Sequence, residues 1–288
     1  ITGSEGLIGK SIINIFEKKN ISFIKIDKNI GLDITKKKTI NFLNKQKPKT
    51  IIHCAAHAGA LSNSNPVEDT ITNSLGTMNI INWCKDHKAK LIFPSSSAVY
   101  GIQSQKKIKE NSLLKPGSVY AVNKISAENW IKLLSKIKSF PWIILRLFPT
   151  YGARNKLNSY QGIVNVMLSQ ILKSKKIIVK GSLSRKRDLI YCKDVSRAFI
   201  DILYSKKCLY KTINIGTGIP VTVNEVITNI IEIFGYSKNN YDIVVKKRML
   251  NDPMFLIADI SLSKKLINFK PKFTLKTGLI DTIKNLKY

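Results

Sequence analysis

The chain opens Ile1-Thr-Gly3-Ser-Glu-Gly6-Leu-Ile-Gly9-Lys10, three evenly spaced glycines that run straight into the apolar-periodic stretch Ile8, Ile12, Ile13, Phe16. Glycines at this spacing let a backbone turn tightly and come close to a pyrophosphate, whose charge the following helix N-terminus attracts. The spacing therefore predicts a dinucleotide-binding turn formed by Gly3, Gly6, Leu7, Ile8 and Gly9. A strand belongs before such a turn; only Ile1-Thr2 stand there, so the first strand is expected to be cut short. Working outward, Ile21-Ser-Phe-Ile-Lys-Ile26 reads as a short strand that ends at Asp27, eighteen residues after Gly9. A carboxylate at that place bonds adenosine ribose hydroxyls and repels a 2′-phosphate, which favours NAD over NADP even with Lys28 beside it.

The same alternation continues. Thr50–Cys54, Ala89–Phe93 and Trp142–Leu147 are apolar strand runs, and helical patterns around Lys36–Asn44, Asn73–Lys85 and 118–136 stand between them. Strand and helix in turn predict an α/β, Rossmann-type doubly wound parallel sheet with ligands at the carboxyl ends of its strands. The small residues Ala55 and Ala56 and the cluster Pro94-Ser95-Ser96-Ser97 fall at that edge. His53 and His57 lack a third ligand nearby, so a structural His53 and no metal are expected. After about residue 152 the pattern changes to shorter elements: a helix near 161–173, strands at 177–180, 212–215, 242–245 and 255–258, and a helix over Val223–Phe234. The expected division is 1–151 plus about 188–214 as an NAD-binding domain. Residues 152–187 plus 215–288 then form a smaller, mixed α/β C-terminal substrate part.

Tyr120-Ala-Val-Asn-Lys124 lies at the start of the helix 118–136, after Pro116-Gly117 and with Ser118 as its N-cap. Ile125, Trp130, Ile131, Leu133 and Leu134 are expected to share its apolar face, with Lys132 and Lys136 turned outward. A spacing of four residues puts Tyr120 and Lys124 on one face, a turn apart. A cation beside a phenol favours the phenolate and is expected to lower its pKa from about 10 towards neutral, which suits a group that takes and returns an alcohol proton.

The net charge of +30 comes from 48 basic residues, of which only Arg146, Arg154, Arg185, Arg187, Arg197 and Arg248 are arginine. Lysines scattered among many Ile and Asn read as compositional bias, not as the focused Arg and aromatic stripe of a nucleic-acid surface, so no specific nucleic-acid partner is expected. No apolar run is long enough for a membrane span, and no signal peptide opens the chain. Cys54, Cys84, Cys192 and Cys208 form no CxxC and read as thiols of a reducing, cytoplasmic compartment.

Taken together, TGSEGLIG at 2–9, Asp27, Gly-Leu-Asp-Ile at 31–34, HCAA at 53–56, Asn73 with Gly76-Thr77, FPSSSAVYG at 93–101, YAVNK at 120–124, LRLFPTYG at 145–152, RDLIY at 187–191 and NIGTG at 214–218 resemble the extended short-chain dehydrogenase/reductase family. The resemblance is to its NAD-dependent nucleotide-sugar epimerase/dehydratase branch and covers nearly the whole chain. It implies Tyr120 as general base and acid, Lys124 on the nicotinamide ribose, and Ser96 bonding the sugar oxygen and Tyr120. It also implies Asp33 and Ile34 at the adenine, Ala55, Ala56 and Asn73 at the cofactor, and Thr150, Arg187 and Arg248 at a nucleoside-diphosphate sugar. The family commonly dimerises through two helices per subunit, here 74–86 and 119–136, with Trp83 and Trp130 as candidates for either seam or core.

Three departures stand out. Pro149 occupies a place where the family commonly has Asn. Arg248 precedes Met-Leu-Asn-Asp252, a longer interval than the usual Arg before Gly-Asp. Ser97-Ala98 follow Ser96 where dehydratases of the branch carry an acidic pair and decarboxylases a Glu. The resemblance therefore implies redox-neutral epimerisation, at C4 of a UDP-hexose, through a transient 4-keto sugar. The alternatives are a 4,6-dehydratase, decarboxylase or keto-sugar reductase of the same branch, or a silent NAD-binding protein.

Overall fold

Thr2 is the pivot of the sheet. In the computed structural model, which describes residues 1–57, 59–153, 162–237, 241–247 and 252–286, Thr2 bridges in parallel to Ile26 on one side and to His53 on the other. The glycine turn leads into α1 (Leu7–Lys18), and α2 (Lys37–Gln46) precedes β1 (Thr50–Ile52). Then come α3 (Pro66–Thr70), a π-helical turn over Ile71–Gly76, α4 (Thr77–His87), β2 (Lys90–Ser96), α5 (Val119–Ile137) and β3 (Trp142–Leu147). Further on lie β4 (Thr150–Tyr151), α6 (Ile163–Ser174), β5 (Lys176–Lys180), β6 (Lys186–Arg187), β7 (Ile190–Tyr191), α7 (Cys192–Tyr204) and β8 (Lys211–Ile215). The C-terminal part adds β9 (Val221–Thr222), α8 (Val223–Phe234), β10 (Asp242–Lys246), β11 (Phe255–Leu256), α9 (Ser261–Ile267) and α10 (Leu275–Lys284).

The main sheet runs β1-β2-β3-β8, all parallel, with the Thr2 and Ile26 segments beyond β1. Chain order therefore reverses between Thr2 and β1, and at such a switch point the loops leave in opposite directions and open a crevice. Successive residues of each strand serve opposite faces. Ile52, Ile92, Ile143 and Leu145 pack with Ile12 and Phe16 of α1 and Phe199 of α7. Ile51, Leu91, Phe93 and Ile144 pack with Ile80 of α4 and Ile131 of α5. A separate core, including Leu168, Ile177, Ile227 and Leu279, holds α6, β5, α8 and α10 together. Thr222 and Glu225 cap α8 reciprocally, which explains why its expected and observed limits coincide.

Several elements differ from the sequence expectation. Ile21–Ile26 forms no strand ladder, because its neighbour Ile1-Thr2 is too short to pair with more than Ile26. β2 runs on through Pro94 to Ser96, in register with Leu145–Leu147, so the first two serines stand on a strand and not in a loop. On α5 the buried face is Ala121, Asn123, Lys124, Ala127, Glu128 and Ile131, while Leu133 is exposed. Buried polar partners for Lys124 and Glu128 outweigh the apolar pattern there.

Candidate active site

Gly3 has φ +66° and its backbone lies against the loop after β1; a Cβ on Gly3 would stand 2.5 Å from the Ala55 nitrogen. Gly6, the N-cap of α1, gives no side chain to the first-turn N–H groups, which remain available to an anion. A cavity of about 500 Å³ opens above this turn and runs between the ends of β2 and β3 and the C-terminal part. It is lined by Gly3, Gly6, Leu7, Ile8 and Gly9 on one side, by Ala56, Ser96, Tyr120 and Lys124 in the middle, and by Pro149 and Thr150 beyond.

Each central side chain has a definite support. Ser118 accepts a hydrogen bond from the Ala121 N–H (3.2 Å) and so fixes the first turn of α5, which carries Tyr120. Lys124 donates to the Pro94 carbonyl (2.9 Å), and its Nζ lies 4.6 Å from the Phe93 ring centre and 5.7 Å from that of Tyr120. Ser96 accepts from the Ala98 N–H (3.2 Å) and lines the cavity with Tyr120, near enough for its hydroxyl to favour the phenolate. Next to it, Ser95 donates to Glu128 (2.6 Å), and Glu128 holds Arg146 through two bonds of 2.7 and 3.0 Å.

The electrostatics overturn one expectation. Burial pushes the Tyr120 phenol up to about 12; the Ser96 hydroxyl works against this, and the Asp69 charge adds to it. Lys124 does not reverse the shift: its ammonium is turned to Pro94, and burial pushes it down to about 8 against the influence of Cys54, Asp69 and Glu128. Tyr120 in the protein alone is a neutral phenol. Its base form requires further positive charge in the cavity.

Other expected residues lie around this centre. Asp27 accepts from the Glu5 N–H (3.0 Å) and the Asn29 N–H (2.9 Å), which sets its carboxylate at the rim of the glycine turn. Ala55 donates to Thr2 Oγ1, and Asn73 clasps the His57 backbone from both sides. Asp33 is engaged by Thr35 (2.8 Å), and Ile34 is buried in the core against Gly76, so the fold does not bring its side chain to the cavity wall. Arg187 is not on that wall either; with Arg185 it shares Asp252, a nearby carboxylate that meets its charge. Arg248 lies outside the described residues. His53 is structural: buried between the hydroxyls of Thr2 (2.7 Å) and Thr77 (3.1 Å), it is pushed down by burial to about 3.

Among the wall residues that sequence reading did not place in the site are Gly59, Leu256 and His57. Gly59 lets the Tyr120 ring approach, since a Cβ there would sit 3.0 Å from it. Leu256 closes the far side, and His57 faces inward beside Ala56. The signal for Gly59 was present in the small-residue run after β1. Leu256 had none, because β11 reaches the site only through its pairing with β6.

The fold and the crevice define a Rossmann-type dinucleotide-binding α/β protein, and the glycine turn, uncapped α1 N-terminus and Asp27 fit NAD. Residues 1–216 match the NAD dependent epimerase/dehydratase family, and the chain belongs to it, as an enzyme with NAD as cofactor. It is similar to a putative UDP-glucose 4-epimerase of Methanocaldococcus jannaschii, 29% identical, with 97% of this chain and 95% of that protein covered. A GDP-6-deoxy-D-talose 4-dehydrogenase of Aggregatibacter actinomycetemcomitans is 31% identical over 81% of this chain and 79% of that protein. Among solved structures, a mutant UDP-glucuronic acid 4-epimerase from Bacillus cereus, in complex with UDP-4-deoxy-4-fluoro-glucuronic acid and NAD, superimposes with a TM-score of 0.88. It is 25% identical, with 99% and 97% of the two chains covered.

Asp27→Ala should narrow a preference for NAD(H) over NADP(H), measured by calorimetry with both cofactors. A wild type that binds NADPH as tightly as NADH would overturn the role given to that carboxylate.

Proposed function

We propose that the protein epimerises a nucleoside-diphosphate sugar, at C4 of a UDP-hexose, through a transient 4-keto sugar in the cytoplasm. The observation that carries this reading is the make-up of the cavity wall. Among its described residues there is no Asp or Glu, and the stretches 154–161 and 248–251 contain none in sequence. Loss of water from C6 needs an acid and a base of its own at the sugar. Ser97 and Ala98, which follow Ser96 on the wall, supply neither at neutral pH.

In this reading NAD, when bound, supplies the hydride acceptor and a positive charge that favours the Tyr120 phenolate. Tyr120 takes the proton of the sugar hydroxyl and later gives it back. Ser96 holds the same oxygen and steadies the phenol. Lys124, charged below about pH 8, is anchored by Pro94 and adds its cation from one turn away. The C-terminal substrate part, expected as 152–187 plus 215–288, is given the sugar side of the cavity. Arg187 reaches the diphosphate only by exchanging its Asp252 contact for it. The dehydrogenase relative keeps a second reading open, net oxidation or reduction of a keto sugar, in which NADH accumulates or is consumed.

Incubation with a panel of UDP-, GDP-, CDP- and dTDP-sugars, read by mass spectrometry and NMR, separates these outcomes. Epimerisation requires an inverted centre at unchanged mass and no net NADH. A product lighter by one water, or stoichiometric NADH, would reject it.

The enzyme is proposed to work as a homodimer. Trp83 is not a seam residue: it is buried in the core, stacked on His87 and bonded to Asn44. Trp130 is half-buried against the same core. The exposed apolar side chains are Val67, Ile71 and Leu75 on α3 and the π turn, and Val122, Leu133 and Ile137 on α5. They form stripes on adjacent helices, the surface a second copy would cover. Light scattering at micromolar concentration should give a dimer, and Leu133→Glu a monomer; a monomeric wild type would count against it.

A further inference from the structure

Asp69, on α3, has no exposed surface. One of its carboxylate oxygens accepts from Asn123 Nδ2 (2.7 Å). The amide of Asn123 is itself oriented, because its oxygen accepts from Ser74 Oγ (2.7 Å). The other carboxylate oxygen, Oδ2, has no hydrogen bond, and neither has His57 Nδ1, which is also buried and stands 3.4 Å away. A buried carboxylate oxygen is stable only beside a proton donor or positive charge. His57 Nδ1 is the ring nitrogen that the fold sets beside Oδ2, so the imidazole proton belongs on Nδ1, facing Asp69. That tautomer leaves the lone pair on Nε2.

His57 also lines the cavity, with Ala56, Gly59, Tyr120 and Lys124, and its side chain keeps some exposed surface. Its backbone is fixed by Asn73, through the His57 N–H (2.9 Å) and carbonyl (3.4 Å). Nε2 has no hydrogen-bond partner among the described residues. We propose that His57, aligned by Asp69, is a ligand-binding residue whose Nε2 accepts a hydrogen bond from a hydroxyl of the bound ligands. A phosphate oxygen carries no proton at neutral pH and is not the partner; a ribose or hexose hydroxyl is. The ribose source depends only on NAD binding, whereas the hexose source rests on the nucleotide-sugar reading above.

Asp69→Asn tests the proton placement directly. The oxygen of the substituted amide stays with Asn123, so its NH₂ faces His57 Nδ1 and moves the imidazole proton to Nε2. The acceptor becomes a donor with little change in shape. Calorimetry with NAD alone, and with UDP-glucose on the NAD-loaded protein, compares wild type with His57→Phe, His57→Gln and Asp69→Asn. His57→Phe and Asp69→Asn should weaken one of the two ligands about tenfold, the effect of one lost hydrogen bond. His57→Gln, which keeps an acceptor oxygen, should stay within about threefold of wild type. A loss in the NAD titration assigns the ribose; a loss confined to UDP-glucose assigns the hexose. Affinities within about twofold of wild type in both titrations for His57→Phe would overturn the proposal. If Asp69→Asn does not fold, judged by its thermal melt, the two His57 variants decide. A wild type that binds NAD but not UDP-glucose speaks against the sugar reading, and the NAD titration then decides this one.

Discussion

Tyr120→Phe should lower turnover by roughly a hundredfold or more while leaving NAD affinity nearly unchanged. The substitution removes only the oxygen. Its ring remains packed on Gly59 and the first turn of α5 remains capped by Ser118, so fold and cofactor site are preserved. What is lost is the one hydroxyl on the wall that Ser96 supports and that added positive charge can ionise. Burial, with a smaller push from the Asp69 charge, holds this phenol at about 12, so the base form at neutral pH depends on cationic charge. Lys124→Ala should therefore move the acid limb of the pH–rate profile to higher pH, because it removes one such charge. Stopped assays of product formation across pH 5 to 9 measure both effects on the roughly neutral range of such profiles. Turnover of Tyr120→Phe close to wild type would sink the proposed mechanism.

Arg146→Met should destabilise the protein by about 3–5 kcal/mol, the cost of leaving a buried charge without its partner. Arg146 is 3% exposed and Glu128 1%. Besides Glu128, Arg146 donates to the Tyr100 hydroxyl (3.1 Å) and the Glu110 carbonyl (2.8 Å), and Tyr100 donates to Asn214 (2.6 Å). These bonds tie α5, β3, the turn after β2 and β8 into one strut directly behind Ser95 and Ser96. The double variant Glu128→Gln with Arg146→Met should lose less than the sum of the two single changes, since no lone charge is left buried. Urea unfolding of the four proteins gives the comparison. A loss below about 1 kcal/mol for Arg146→Met would show that the strut carries little of the stability.

The local devices were legible in the sequence because their chemistry is local. A glycine turn before a helix, a capped helix with Tyr120 and Lys124 one turn apart, and apolar runs of strand length each depend on residues close in the chain. Together they determined the Rossmann-type sheet and NAD as its cofactor. Even Pro94 could be read as the neighbour of a serine cluster.

Only the tertiary structure decided where each charge finds its partner. The Lys124 ammonium faces Pro94, thirty residues earlier, and this is why the spacing to Tyr120 does not by itself lower the phenol. Glu128 meets Arg146, so α5 buries a charged stripe and leaves Leu133 outside. Arg187 is drawn to Asp252, and His57 is turned by Asp69; both carboxylates come from other elements. Sequence spacing fixes which side chains share a face of one helix or strand. Desolvation and ion pairing depend on what packs against that face, and here the packing brought together residues far apart in the chain.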